Sequence, residues 1–168
     1  MAGVAKIDAT PPIGAPLAGY GSFDRRLFFP VLSPDSYNHL FKPSVGVRDP
    51  IYVKALALSN GQTTVAIVTL DTIAVDRSVV EEAYAIAAQR GVPLLLDNVM
   101  VCAAHTHSGP AAMSKLFLWE IITADLSMGP IREPFIEHIA DVLVEACANM
   151  RPARLGIGSG EIYGITHN

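Results

Sequence analysis

Two runs of β-forming residues, 51–59 and 63–70, are separated only by Asn60-Gly61-Gln62. Asn and Gly tolerate the positive φ that tight reversals demand, so this spacing predicts an antiparallel hairpin. The second run, TTVAIVTL, is almost entirely apolar and ends at Asp71. Such a run reads as a central strand buried on both faces, which obliges the chain to supply layers that cover it.

The flanking segments supply them. Residues 76–90 place Val79, Val80, Ala83 and Ala87 at helical spacing, with Asp76 as N-cap and Gly91 closing the end. Residues 98–104 read as another buried strand. Residues 133–150 form a second helix through Ile136, Ile139, Ala140, Leu143 and Ala146-Cys147. Residues 4–8 alternate as a first strand stopped by Thr10-Pro11-Pro12, and residues 153–157, after Arg151-Pro152, read as a last one. The order of elements predicts an α/β architecture, a mixed β-sheet with flanking helices. Between the first strand and the hairpin, residues 14–47 are rich in Gly, Pro and Ser with scattered aromatics. A loop this long inside a compact domain is usually functional: either a lid or substrate rim, or a surface excursion with short helical turns.

Only 17% of the 168 residues are charged and 51% are hydrophobic, against about 25% charged in an average soluble chain. Either some apolar surface meets another domain or subunit, or the core is unusually large for its shell. Twelve Lys and Arg against a net charge of -4 exclude nucleic-acid binding through phosphate neutralisation. No apolar stretch reaches the roughly 18 residues of a transmembrane segment, and no basic, apolar leader opens the chain. Cys102 and Cys147 are too few for a disulfide framework and read as buried free thiols.

The chemistry concentrates in His105-Thr106-His107-Ser108-Gly109-Pro110, which follows the apolar run VMVCAA. In extended chain, residues two apart face the same side, so both imidazoles are expected to share one pocket. Sites in α/β sheets gather outside the carboxyl ends of strands, and imidazole is a preferred zinc ligand. The plain alternative is a pair of hydrogen-bonded surface histidines. Asp71, at the end of the neighbouring strand, is expected to reach the same pocket and orient a metal-bound imidazole; its alternative is an ordinary turn Asp. The length excludes a TIM barrel of about 250 residues. No Asp and His follow HxH in the metallo-β-lactamase manner, and there is no Gly-x-Ser-x-Gly elbow.

Several segments together resemble the N-terminal region of neutral (alkaline, non-lysosomal) ceramidases. They are GVAKIDATPPIGAPLAGYG at 3–21, GVRDPIYVKALAL at 46–58, VAIVTLD at 65–71, NVMVCAAHTHSGPAA at 98–112 and RPARLGIGSGEIYGITHN at 151–168. The resemblance implies a large α/β catalytic domain, of which residues 1–168 form an incomplete N-terminal portion, and zinc-dependent hydrolysis of ceramide (N-acylsphingosine) or a related lipid amide. His105 then corresponds to the first zinc (Zn2+) ligand. His107 stands beside the metal, carrying a proton or binding the scissile carbonyl, with Asp71 supporting the site. The family's remaining ligands, a second His followed by a Glu and a Tyr, and its catalytic Arg and Ser, lie downstream of HTHSGP. His138 and His167 do not match that second motif. Contact with a missing C-terminal portion or another subunit is therefore expected. Family members are often secreted or membrane-associated, and the chain itself leaves its compartment open. Two other functions compete: a non-catalytic lipid- or partner-binding module retaining the scaffold, and a metal hydrolase completed by oligomerisation.

Overall fold

The computed structural model describes residues 1–165. Four strands form one mixed sheet in the order β1 (Ala2–Asp8), β2 (Tyr52–Ser59), β3 (Thr64–Leu70) and β4 (Val99–Ala103). The hairpin is formed as predicted: β2 and β3 are antiparallel with Ser59 opposite Thr64, and Gly61 takes φ 94° in the turn. β1 lies antiparallel on β2, whereas β4 runs parallel to β3. A parallel neighbour needs a crossover, and α1 (Arg77–Gln89) provides it. The Asp76 carboxylate caps α1 by accepting the Val79 N–H at 3.1 Å, and Gly91 ends it at φ 81°.

α3 (Gly129–Ala148) begins earlier than residue 133, because Pro130 pre-sets helical φ in the first turn, where its missing N–H costs nothing. It packs on β1, β2 and α1. The sheet face beneath it carries small residues: Ala55, Ala57 and Ala66 are buried, and a Cβ on Gly3 would strike the Ala146 carbonyl. That allows Ile139, Leu143 and Ala146 to seat against the strands as one continuous core with Val53, Val68 and Leu70. Each such aliphatic side chain stabilises the fold by roughly 1.5–3 kcal/mol on burial.

Three expectations are corrected. β4 is a strand but not a buried one, its residues being half-buried with Met100 exposed. β3 is buried on one face only: Ala66, Val68 and Leu70 point under the helices, while Val65 and Thr69 face outwards and are exposed. The outer face, with Val4 and Met100 also exposed, has no covering layer among the described residues. Alternation alone cannot report this, because both faces are written in apolar residues. Residues 153–157 do not form a strand. Arg151 makes a single bridge to Ala2 on the edge strand β1, after which the chain runs exposed without continuing the pairing. Both cysteines are free, Cys147 buried and Cys102 half-buried on the outer face. Burial pushes the Cys147 thiol up.

Candidate active site

Parallel pairing of β3 and β4 brings their carboxyl ends to one edge, and the Ala104 N–H extends the ladder by donating to the Leu70 carbonyl at 2.9 Å. The chain then leaves the sheet. His105 takes φ 61°, in the left-handed region that is uncommon for residues other than Gly, although Asn, Asp and His enter it more readily than most. The two imidazoles do come together, their centroids 5.1 Å apart and their planes 79° from parallel. They meet through this turn at His105 rather than through strand alternation, since β4 ends at Ala103.

His105 Nδ1 lies 2.9 Å from the Ile73 carbonyl. A carbonyl only accepts, so Nδ1 carries the hydrogen and the lone pair of the neutral ring sits on Nε2. This is the way metal-binding imidazoles are commonly oriented. The expected orienter was Asp71, but the Asp71 carboxylate is engaged elsewhere. Its Oδ2 accepts the Tyr52 N–H at 3.0 Å and pairs with Lys54 Nζ at 3.7 Å. Asp71 also lines an open cleft of about 610 Å³ together with Thr106 and Ser108.

His107 is held by the long loop. Gly19, at φ 82°, lies so close that a Cβ there would enter the His107 ring. Tyr20 stacks on the same ring at a centroid distance of 4.2 Å, and Arg25 Nη1 donates to the His107 carbonyl at 3.0 Å. His107 Nδ1 is buried and has no hydrogen-bond partner among the described residues, which is costly for a polar nitrogen unless something outside them engages the ring. The loop is therefore a wall of the site rather than a free excursion, with no helix in residues 14–47.

The loop is fixed from behind by Asp125, fully buried at φ 64°. Its carboxylate accepts N–H bonds from His39 and Phe41, both at 3.0 Å, and from Leu40 at 2.9 Å. Among the described residues, Tyr20 and Ala112 complete the set of non-glycine residues at positive φ, at 45° and 61°. All four lie in the segments that build this corner, the clustering expected where backbone strain serves a site. Gly19, Tyr20, Arg25 and Asp125 escaped the sequence reading as site residues. GYG at 19–21 is the one signal that pointed to Gly19; the role of Ile73 is carried by its backbone and leaves no mark in the side-chain pattern.

The donor chemistry at His105 suits zinc, with one nitrogen anchored and the other free to coordinate. A zinc site takes three or four protein ligands, and the described residues contain no group of three His, Cys, Asp or Glu side chains placed to hold a metal. His138 lies on α3, and His167 lies outside the described residues.

A mixed sheet flanked by helices, with two imidazoles outside the carboxyl end of a parallel strand pair, defines an α/β protein of the kind whose sites gather at that edge. The chain belongs to the neutral/alkaline non-lysosomal ceramidase family, whose N-terminal family model matches residues 35–168. It is 36% identical over 76 residues to the neutral ceramidase of Pseudomonas aeruginosa, a match covering 43% of this chain and 11% of that protein. The crystal structure of neutral ceramidase from Pseudomonas aeruginosa superposes with a TM-score of 0.69 at 18% identity, over 90% of this chain and 22% of that one. A structure of a ceramidase complexed with C2 gives a TM-score of 0.59 at 18% identity, over 88% and 20% of the two chains. The fold is thus shared, and the chain spans about a fifth of the solved relatives.

Proposed function

We propose that this chain is the first limb of a zinc-dependent hydrolase that cleaves the amide bond of ceramide or a related lipid amide, releasing a sphingoid base and a fatty acid. The observation that carries this reading is the anchoring of His105 Nδ1 by the Ile73 carbonyl, with the His107 ring 5.1 Å away. Zinc, when bound, polarises a carbonyl and lowers the pKa of a bound water towards about 7. His105 would offer Nε2 to the metal. His107, braced by Gly19 and Tyr20, is placed to carry a proton or to hydrogen-bond the scissile carbonyl. Asp71 ties the start of β2 to the end of β3 and so fixes the edge from which the Ile73 carbonyl projects. The remaining ligands would come from outside the described residues. Contact with a further portion of the catalytic domain, or with another subunit, fits the uncovered sheet face.

The test is an assay of the polypeptide encoded by the reading frame continued past Asn168. Zinc-dependent release of fatty acid from N-acylsphingosine, abolished by His105→Ala, is expected. A second reading, a lipid-binding module without catalysis, draws on Phe23 and Phe28, each 93% exposed on the loop beside the imidazoles. Lipid binding without metal, together with a frame that closes at Asn168, would favour it.

A further inference from the structure

A cavity of about 210 Å³ lies between α1, α3 and the segment that follows HTHSGP. Ala18, Ile73, Val79, Met113, Trp119 and Phe135 give it a hydrocarbon wall. Neither His105 nor His107 lines it, so it is a space apart from the imidazole corner. One charged side chain breaks the wall. Asp76 lines the cavity, and its Oδ2 is buried with no hydrogen-bond partner among the described residues.

The two oxygens of that carboxylate are served unequally. Oδ1 accepts the Val79 N–H at 3.1 Å and the Ser78 hydroxyl. Burial pushes the carboxyl up, but hydrogen bonding led by Ser78, with Ser114 and the Lys115 N–H close by, outweighs it and keeps the group ionised at neutral pH. Neither Ser114 nor the Lys115 N–H hydrogen-bonds Oδ2. The neighbouring guanidinium is engaged as well: Arg132 donates to both oxygens of Glu82, to Ser78 Oγ and to the Met113 carbonyl. Lys115 faces Glu82 at 3.8 Å from the solvent side. Two carboxylates against one buried cation leave a negative charge at the cavity wall. A buried anionic oxygen without a donor costs free energy, so a donor from outside the fold completes it.

We propose that this cavity is a binding site for a primary alkylammonium ion, its nitrogen on Asp76 Oδ2 and its hydrocarbon along Ile73, Met113 and Trp119. The ammonium supplies both the missing donor and the opposite charge, which makes the stronger kind of hydrogen bond. Burying an ion pair usually carries the desolvation of both partners, whereas here Oδ2 is out of water before the ligand arrives. Ser114 Oγ accepts the Leu116 N–H at 3.2 Å with one lone pair and keeps a second for the same nitrogen. An anion would meet Asp76 as a like charge, and an alcohol would bring the donor without the charge. Apolar cavities of about 150 Å³ admit benzene, so this one takes a chain of about six carbons. An amide nitrogen carries no charge, so the site is independent of the hydrolysis proposed above.

Trp119 is the only tryptophan in the chain, so its indole N–H gives a single NMR resonance that reports on this cavity. Titration of the purified chain with hexylammonium chloride is expected to shift that resonance saturably. Hexan-1-ol should bind about tenfold more weakly or worse, and hexanoate should not bind. Asp76→Asn keeps the helix cap, since Asn caps as well as Asp. It should raise the Kd for hexylammonium by about tenfold or more and leave that for hexan-1-ol unchanged. Asp35→Asn, on the exposed loop, should change neither. Equal affinity for hexylammonium and hexan-1-ol in the unmodified chain would overturn the proposal. So would a shift linear in concentration, or an Asp76→Asn variant that binds hexylammonium as before. His105→Ala should leave the titration intact, so loss of hydrolysis and loss of ammonium binding are read separately.

Discussion

His105 and Ile73 are joined by a 2.9 Å hydrogen bond from an imidazole Nδ1–H to a backbone carbonyl. That bond ties the residue after β4 to the segment after β3 and selects the ring tautomer. His105→Ala removes the proposed zinc donor but little packing, since His105 is exposed. The lost bond to Ile73 and an Ala at positive φ should together cost about 1–2 kcal/mol in thermal denaturation. Zinc retained after dialysis by a longer polypeptide that supplies the remaining ligands should fall to background.

The 168-residue chain alone is expected to hydrolyse no ceramide, because the described residues do not bring three metal ligands together. Mass-spectrometric assay for released fatty acid checks this. Robust zinc-dependent turnover by the purified chain would contradict it.

Gly19→Ala should destabilise the chain by about 1–3 kcal/mol, combining a left-handed φ with a Cβ driven into the His107 ring. The His107 ring signals in an NMR spectrum should shift, while those of His138, on α3, stay in place. A neutral effect on both would refute the close approach of loop and imidazole.

Asp125→Ala strands the N–H groups of His39, Leu40 and Phe41 and should cost about 3 kcal/mol. Asp125→Asn should cost less, because Asn tolerates positive φ and retains one acceptor. Hydrogen exchange at those three amides should quicken far more in the Ala variant than at Val68 in the sheet.

Arg132, almost fully buried, donates through Nη1 and Nη2 to the two oxygens of Glu82 at 2.5 and 2.8 Å. This hydrogen bonding holds the Glu82 carboxyl below its ordinary 4.5. At Asp76 burial pushes the carboxyl up, but hydrogen bonds led by that of Ser78 outweigh it, and the net shift is again downward. A depressed carboxyl pKa contributes stability above the unfolded value, lost as pH falls through the folded one. The urea midpoint should therefore hold from pH 7 to about 5 and decline below that. Glu82→Gln should lower the midpoint at pH 7 and flatten the acid decline. A decline of unchanged steepness in Glu82→Gln would assign it to other groups.

Much of this protein was legible in the residues. Asn60-Gly61 placed the hairpin, Asp76 and Gly91 bounded α1, and HTHSGP located the corner, because turns, caps and helical stripes are local and leave their chemistry in adjacent letters. The tertiary structure alone decided the rest. The apolar letters of β3 could not show that one sheet face is left open, since coverage depends on where α1 and α3 pack. Ile73 replaced Asp71 as the partner of His105 because the Tyr52 N–H and Lys54 claimed the carboxylate first. Gly19 met His107, and Asp125 gathered residues 39–41, across more than 80 residues of sequence in each case. Contacts of that span arise from how the chain closes on itself, and no short window of sequence carries them.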